Sequence, residues 1–99
     1  MVEEIKENQF DSIINGNVIV DCYAPWCGPC KMLSPIIDEL AKEVSTYNFY
    51  KLNVDEAEGI AMRYGIMSIP TILVFENGVL KHNLVGFKTK EELKTILGA

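Results

Sequence analysis

The sequence lacks several features that define other classes of protein. Its 99 residues contain only three cysteines and one histidine, and an odd number of cysteines argues against the structural disulfides that stabilise small secreted domains. No apolar run approaches the roughly 20 residues that a membrane-spanning helix needs. No repeat, linker or low-complexity segment divides the chain. With 48% hydrophobic residues, the composition predicts one globular domain over residues 1–99, able to fold as a monomer without a structural metal.

Positive charge is also scarce. Nine Lys and Arg residues against 14 Asp and Glu residues give a formal net charge of −5. An acidic surface offers no electrostatic attraction to nucleic acid or to anionic membranes. The chain begins Met1-Val2-Glu3-Glu4, which is acidic where a signal peptide would be basic and then apolar. These observations predict a cytoplasmic protein that binds neither nucleic acid nor a membrane.

What the chain does contain is an alternation of strand-like and helix-like segments. The predicted strands cover residues 2–5, 18–23, 48–54, 71–75 and 79–85, and the predicted helices cover 8–16, 31–44, 55–64 and 89–97. Strands that alternate with helices indicate parallel βαβ units. Asn77-Gly78 is a strong signal for a tight hairpin, which adds an antiparallel strand at one edge of the sheet.

The predicted helix boundaries depend on residues that favour helix ends. We assign Asn8, Asp55 and Thr89 as N-caps, and Gly16 and Gly65 as the residues that end helices.

The helix predicted over residues 31–44 is amphipathic. Its apolar face includes Met32, Leu33 and Leu40, and charged residues fill the other face. Pro35 lies inside this pattern and should bend the helix, because it removes one backbone donor.

Trp26-Cys27-Gly28-Pro29-Cys30 joins a predicted strand to this helix. Cys27 stands where the helix begins, and there the backbone N–H groups and the helix dipole favour a thiolate. We therefore expect Cys27 to be the exposed nucleophile. Cys30 lies one turn inside the helix and should be more buried and more fully protonated. Two thiols at this spacing can form a disulfide, which indicates thiol–disulfide exchange with Cys30 as the resolving thiol.

A zinc site is an alternative explanation of the Cys pair. With Cys22 and His82, the chain could supply the ligands of a Cys₃His site. Side chains alternate along a strand, however, so Asp21 and Cys22 face opposite sides of the predicted sheet. If Asp21 faces the helix that carries the Cys pair, Cys22 faces away from it. We therefore expect no metal.

Residues 26–31 resemble the active site of the thioredoxin family, and further motifs extend the resemblance over nearly the whole chain. The resemblance implies an α/β thioredoxin fold, with a central mixed five-stranded sheet flanked by four helices. It implies a protein-disulfide reductase whose redox-active disulfide joins Cys27 and Cys30, with no other cofactor. Its partners would be protein disulfides and a thioredoxin reductase. The Gly28-Pro29 dipeptide implies a strongly reducing member of the family.

Two charged residues match positions that are charged in that family. Asp21 directly follows the apolar residues 18–20 and should be buried, which raises the pKa of a carboxyl group. The resemblance places it beneath Cys30, as the base that takes the thiol proton through a water. Lys51 matches the family's lysine near that carboxylate. The alternatives are a solvated carboxylate at a strand end and a lysine that lies along the surface.

Residues 68–71 place a proline at the start of a predicted strand. The sequence alone allows either a residue that begins the strand or a cis proline. The resemblance implies a cis Pro70 packed against the Cys pair, with the backbone of Ile69 pairing with an extended substrate segment. It also implies that Trp26 and Gly86 belong to the substrate-binding surface, although Gly86 could simply form a turn.

Some residues depart from the family pattern. Cys22 and Tyr23 stand where bulky aromatic residues are commoner, and we interpret Cys22 as an inert core thiol. Phe87 stands where a small residue is common, and it would make the rim of the substrate groove bulkier. His82 should lie on the surface, far from Cys27.

Two other functions stay open. A glutaredoxin-like or isomerase-type dithiol protein would use the same chemistry, although glutaredoxins usually carry Pro-Tyr between the cysteines and lack the first strand and helix predicted here. A thioredoxin-fold binding module would use the surface of Trp26, Ile69 and Gly86. Such a module would keep its partner after Cys27 and Cys30 are replaced by serine.

Overall fold

Five strands form one mixed sheet at the centre of the molecule. In the computed structural model, which describes residues 1–99, they are Val2–Ile5 (β1), Val18–Tyr23 (β2), Asn48–Asn53 (β3), Thr71–Glu76 (β4) and Val79–Val85 (β5). Their order in the sheet is β1-β3-β2-β4-β5. β3 is parallel to both β1 and β2, whereas β4 is antiparallel to β2 and to β5.

Four α-helices accompany the sheet. They are Phe10–Ile13 (α1), Gly28–Glu43 (α2), Glu58–Arg63 (α3) and Lys90–Leu97 (α4), and short 3-10 turns at Glu7–Gln9 and Val54–Glu56 precede α1 and α3. The predicted α/β fold, a mixed five-stranded sheet with four helices, is confirmed. None of the helices combines the length and the apolar character that crossing a membrane requires.

β2 occupies the middle of the sheet, and its side chains alternate between two apolar clusters. Val20 and Cys22 belong to one cluster, whereas Ile19 belongs to the other, which includes the buried side chains of α2. Asp21 lies on the same side of the sheet as Ile19, because side chains two residues apart on a strand point the same way. The alternation therefore turns Asp21 toward α2.

Three local signals are confirmed. Asn77 and Gly78 have left-handed backbones, with φ of 54° and 81°, and join β4 to β5. Gly65 follows α3 with a φ of 63°, as a residue that ends a helix commonly does. At the start of α4, the Glu92 N–H donates to Thr89 Oγ1 at 3.1 Å and the Thr89 N–H donates to Glu92 Oε1 at 2.8 Å.

The predicted boundaries of the first helix are wrong. Asn8 is not an N-cap, because it lies inside the 3-10 turn that begins after Lys6. The Lys6 N–H donates to Gln9 Oε1 at 2.8 Å, so a glutamine closes this turn in place of an asparagine. Gly16 does not end α1 either, since the helix already stops at Ile13.

The N-cap assigned to Asp55 is also wrong. Asp55 lies in the second 3-10 turn, where its N–H donates to the Asn53 side chain at 3.0 Å. α3 begins only after Ala57, which has no capping side chain. The Ile60 N–H at the start of α3 instead donates to Glu7 Oε2 at 2.8 Å. The cap comes from a distant part of the chain, so no local sequence pattern could reveal it.

Met32 does not belong to the buried face of α2. It is 64% exposed, whereas the buried stripe of the helix consists of Cys30, Leu33, Ile37 and Leu40. Successive residues of a helix are about 100° apart, which turns Met32 away from its neighbour Leu33. Pro35 lies inside α2, as predicted.

Candidate active site

The Cys pair lies where the chain passes from β2 into α2. Cys27 is the N-cap of α2, with an extended backbone, and its Sγ accepts a hydrogen bond of 3.2 Å from the Cys30 N–H. Pro29 lies in the first helical turn, where its missing N–H leaves no helical bond unmade. A Cβ on Gly28 would meet no atom within 4 Å, so sterics do not require glycine there. A backbone donor aimed at Cys27 Sγ is the arrangement that stabilises a thiolate.

The two sulfurs are joined in a disulfide, with the Cα atoms of Cys27 and Cys30 5.3 Å apart. Cys27 is 4% exposed and Cys30 is 3% exposed. The expectation that Cys27 is clearly the more exposed thiol is therefore wrong for this oxidised form. The physical reason is a neighbouring loop, because Cys27 Sγ lies 3.7 Å from the carbonyl oxygen of Ile69.

That loop contains the proline expected beside the Cys pair. The Ile69–Pro70 peptide bond is cis, and Ile69 packs against the small apolar cluster of Ala24, Cys27 and Cys30. The Gly86 N–H donates to the Pro70 carbonyl at 2.8 Å, and Gly86 has a φ of 92°. Gly86 is therefore hydrogen-bonded to this loop, in a backbone conformation that a side chain would strain.

Asp21 and Cys30 both line a cavity of about 140 Å³. Asp21 is only 3% exposed, and no protein group donates a hydrogen bond to its Oδ1. Burial raises the pKa of Asp21 to about 7, and the positive charge of Lys51 partly opposes this increase. A carboxyl group with this pKa can hold or release a proton near neutral pH.

Lys51 lies on the same wall of the cavity as Asp21. The two residues are in register on the adjacent strands β2 and β3, and both line the cavity. Lys31 and Ser34 of α2 line it from the other side. The structure thus brings Cys30, Asp21 and Lys51 to one cavity, in the positions that the family resemblance implied.

Trp26 extends the site outward. Its indole is largely exposed, and Nε1–H donates to Asp55 Oδ2 at 2.9 Å. Sequence reasoning missed Asp55 as a partner of Trp26, because it assigned the carboxylate to a helix cap. Sequence reasoning also assigned no place to Met67, which is an almost fully exposed apolar residue two positions before Ile69. The exposed Phe87 follows Gly86, as expected of a bulkier rim.

The four residues of the alternative zinc set do not come together. Cys22 is fully buried in the cluster on the opposite side of the sheet from Asp21. Burial and the nearby Asp21 raise the pKa of the Cys22 thiol far above its usual value. His82 lies on β5, paired with Val74, and is partly buried rather than fully on the surface.

Tyr23 makes a contact that the sequence did not predict. Its hydroxyl donates to the Glu4 carboxylate, with distances of 2.7 and 2.8 Å to the two oxygens. Tyr23 also lines the Asp21 cavity. Burial and the hydrogen bond to Glu4 raise the pKa of Tyr23 well above its usual value.

Comparison with known proteins gives a consistent match. The family model described as Thioredoxin matches residues 1–99. The chain is 48% identical over 96 residues to a thioredoxin of Mycoplasma genitalium, with 94% of each chain covered. It is 43% identical over 91 residues to a thioredoxin of Mycoplasmoides gallisepticum, with 90% of this chain and 91% of the relative covered.

Plant proteins match over a smaller share of their length. The chain is 47% identical over 96 residues to the chloroplastic M-type thioredoxin of Pisum sativum. The matched region covers 93% of this chain and 56% of the relative. It therefore spans about half the length of this chloroplastic relative. The relatives include chloroplastic and mycoplasmal proteins, so the similarity does not select one compartment.

Proposed function

Since this chain belongs to the thioredoxin family, we propose that it is a thiol–disulfide oxidoreductase that reduces protein disulfides. The observation that carries the proposal is the Cys27–Cys30 disulfide at the start of α2, beside the cis Ile69–Pro70 bond and above the buried Asp21. We propose that the protein acts as a monomer, because Cys27, Cys30, Asp21 and Pro70 can form the site within one chain. The Cys pair is the redox centre, and the reaction needs no other cofactor.

The first step begins from the reduced protein. The Cys27 thiolate, stabilised by the Cys30 N–H, attacks one sulfur of a substrate disulfide. A bond forms between Cys27 Sγ and that sulfur, the substrate S–S bond breaks, and the other substrate sulfur leaves as a thiolate. The product is a mixed disulfide between Cys27 and the substrate.

The second step releases the substrate. The Cys30 thiol gives its proton to Asp21, directly or through a water in the shared cavity, and attacks Cys27 Sγ. The Cys27–Cys30 bond forms, the bond from Cys27 to the substrate breaks, and the second substrate sulfur leaves with its electron pair. Both electrons have then passed to the substrate. Asp21 suits the role of base because its pKa is raised to about 7 by burial.

Substrate binding involves the surface around the disulfide. An extended segment of the substrate would pair with the Ile69 backbone, in the manner of an added strand. The exposed ring of Trp26 and the main chain at Gly86 would border that segment. These contacts are mostly apolar or with the main chain, which suits substrates of differing sequence.

A second reductant must restore the dithiol after each cycle. We propose a thioredoxin reductase for this role, because the family pairs this chemistry with such a donor.

A dithiol that serves as a reductant needs a reducing compartment, for which we propose the cytoplasm. Fractionation of the source cells followed by immunoblotting tests the compartment.

The decisive experiment is a redox titration followed by the fluorescence of Trp26. The purified protein is equilibrated in graded dithiothreitol buffers, and its zinc content is measured on the same sample. A reversible two-electron transition at a strongly reducing potential supports the reductase. A much more oxidising midpoint would favour an isomerase, and bound zinc without a transition would contradict redox chemistry.

A further inference from the structure

Glu4 on the edge strand β1 points to the same face of the sheet as Asp21. Glu4 on β1 is in register with Lys51 on β3, and Lys51 is in register with Asp21 on β2. Residues in register on neighbouring parallel strands point to the same face of the sheet. Glu4, Lys51 and Asp21 therefore form one row across three strands, on the face that carries α2.

Tyr23 links the two ends of this row. It lies two residues after Asp21 on β2, so its side chain points to the same face. Because β3 separates β1 from β2, the Tyr23 hydroxyl must cross β3 to reach Glu4, to which it donates at 2.7 Å. The anchored phenol lines the cavity that contains Asp21, Cys30 and Lys51.

We propose that Glu4 and Tyr23 are positioning residues for the resolving step, in which the hydrogen bond to Glu4 holds the Tyr23 ring as the outer wall of the Asp21 cavity. The proposal depends on the roles proposed above for Cys30 and Asp21. A fixed wall limits how much water reaches the carboxyl group. It thereby keeps Asp21 able to take the proton of Cys30, and no new bond or redox step is involved.

The charges around Asp21 determine how the proposal must be tested. Burial has the largest effect on the pKa of Asp21 and raises it. Lys51 on β3 lowers this pKa, whereas Asp38 on α2 and Glu4 on β1 raise it further. Lys31 of α2 also lines the cavity. Removing the Glu4 charge could therefore change Asp21 even without any movement of Tyr23. The variants must separate the hydrogen bond from the charge.

Three variants make that separation, and a fourth serves as the control. Tyr23→Phe removes the hydrogen bond and keeps the Glu4 charge, Glu4→Ala removes both, and Glu4→Gln keeps an acceptor and removes the charge. Tyr47→Phe is the matched control, because Tyr47 donates to Glu76 at 2.6 Å and neither residue lines the cavity. The readout is the titration midpoint of the Asp21 carboxyl carbon by NMR in the oxidised protein.

We expect Tyr23→Phe to lower the Asp21 midpoint by about one pH unit, because added water favours the charged carboxylate. Glu4→Ala should lower it by at least as much, because it also removes a negative charge that raises the pKa of Asp21. Glu4→Gln should restore most of the midpoint, and Tyr47→Phe should leave it unchanged. The pH profile of Cys30 attack on a Cys27 mixed disulfide should move by the same amount. An unchanged midpoint in Tyr23→Phe, or a Glu4→Gln midpoint equal to that of Glu4→Ala, would overturn the proposal.

The titration uses no substrate, so its outcome does not depend on whether the protein reduces disulfides. If the wild-type protein failed to reduce protein disulfides while the midpoints moved as described, the reductase function would fail and the role of Glu4 and Tyr23 at Asp21 would stand. If the protein reduced disulfides and the midpoints did not move, the reductase function would stand and the Tyr23–Glu4 proposal would fail.

Discussion

Asp21 and Lys51 lie in register on adjacent strands and line one cavity, yet the pKa of Asp21 is still raised to about 7. Burial disfavours the carboxylate more than the nearby ammonium group favours it. The protein thus keeps a costly charge below its Cys pair. A carboxyl group that is this deeply buried, and whose charged form is disfavoured by burial, is more easily explained by chemistry than by stability.

Asp21→Asn should stabilise the oxidised protein in a pH-dependent way. The pKa of Asp21 rises from 3.8 to about 7 on folding, so the folded state holds a proton that the unfolded state has lost. The wild type therefore loses stability as the pH rises through this window, and the variant does not. We expect a difference near zero at pH 4 and on the order of 4 kcal/mol at pH 8, since each pKa unit corresponds to about 1.4 kcal/mol, measured by urea unfolding.

The exposed carboxylate of Glu39 on α2 provides the control for that measurement. Glu39→Gln should leave the pH dependence of unfolding close to that of the wild type, because it removes a carboxylate from the exposed surface of α2 and leaves the buried Asp21 in place. A loss of stability in Asp21→Asn at pH 8 would contradict the buried, costly carboxylate. Turnover of Asp21→Asn should fall in the same preparations, since the base for the Cys30 proton is gone.

Cys30→Ser should trap substrates covalently. Cys27 can still form a mixed disulfide, but no thiol remains to resolve it. We expect adducts of higher mass on non-reducing gels, several-fold more abundant than in the wild type and removed by dithiothreitol. Cys27→Ser is the control and should form none. Adducts through Cys27→Ser but not through Cys30→Ser would reverse the assigned roles.

Signals that are local in sequence predicted most of the strands and helices and the position of the Cys pair at the start of a helix, whereas the strand order of the sheet and the places of Asp21 and Pro70 were implied by the family resemblance. The apolar run before Asp21, the turn at Asn77-Gly78 and the capping box at Thr89 each act through residues only a few positions apart. Such signals depend on backbone preferences that operate before the tertiary structure forms. The strand, the turn and the helix start that these signals specify could therefore be predicted from the sequence.

Contacts between distant parts of the chain account for what could not be predicted. The bonds from Ile60 to Glu7, from Trp26 to Asp55 and from Tyr23 to Glu4 join residues 53, 29 and 19 positions apart. Each depends on the strand order of the sheet, which periodicity does not give.

The prediction that Cys27 is the more exposed thiol was wrong for a related reason. The loop around the cis Ile69–Pro70 bond covers the sulfur, and that loop lies 42 positions away in sequence.

Cys22→Ala should leave the redox activity unchanged. The thiol is buried on the opposite side of the sheet from Asp21, and its raised pKa keeps it protonated, so it cannot exchange with the Cys pair. Loss of its sulfur from the core should cost on the order of 1 kcal/mol of stability. Disulfide reduction and chemical denaturation measure the two effects. A strong loss of activity at unchanged stability would give Cys22 a functional role.

Gly59→Ala should reveal the cap that Glu7 provides to α3. Glu7 Oε2 accepts from the Ile60 N–H at 2.8 Å, and a Cβ on Gly59 would lie 2.5 Å from that oxygen. The alanine should displace the carboxylate, and losing a cap costs about 1 kcal/mol, which offsets the gain of up to about 1 kcal/mol from replacing glycine in a helix. We therefore expect Gly59→Ala to be near neutral in the wild type and stabilising by up to about 1 kcal/mol in a Glu7→Ala background. Equal effects in the two backgrounds, measured by urea unfolding, would mean that Glu7 does not cap α3.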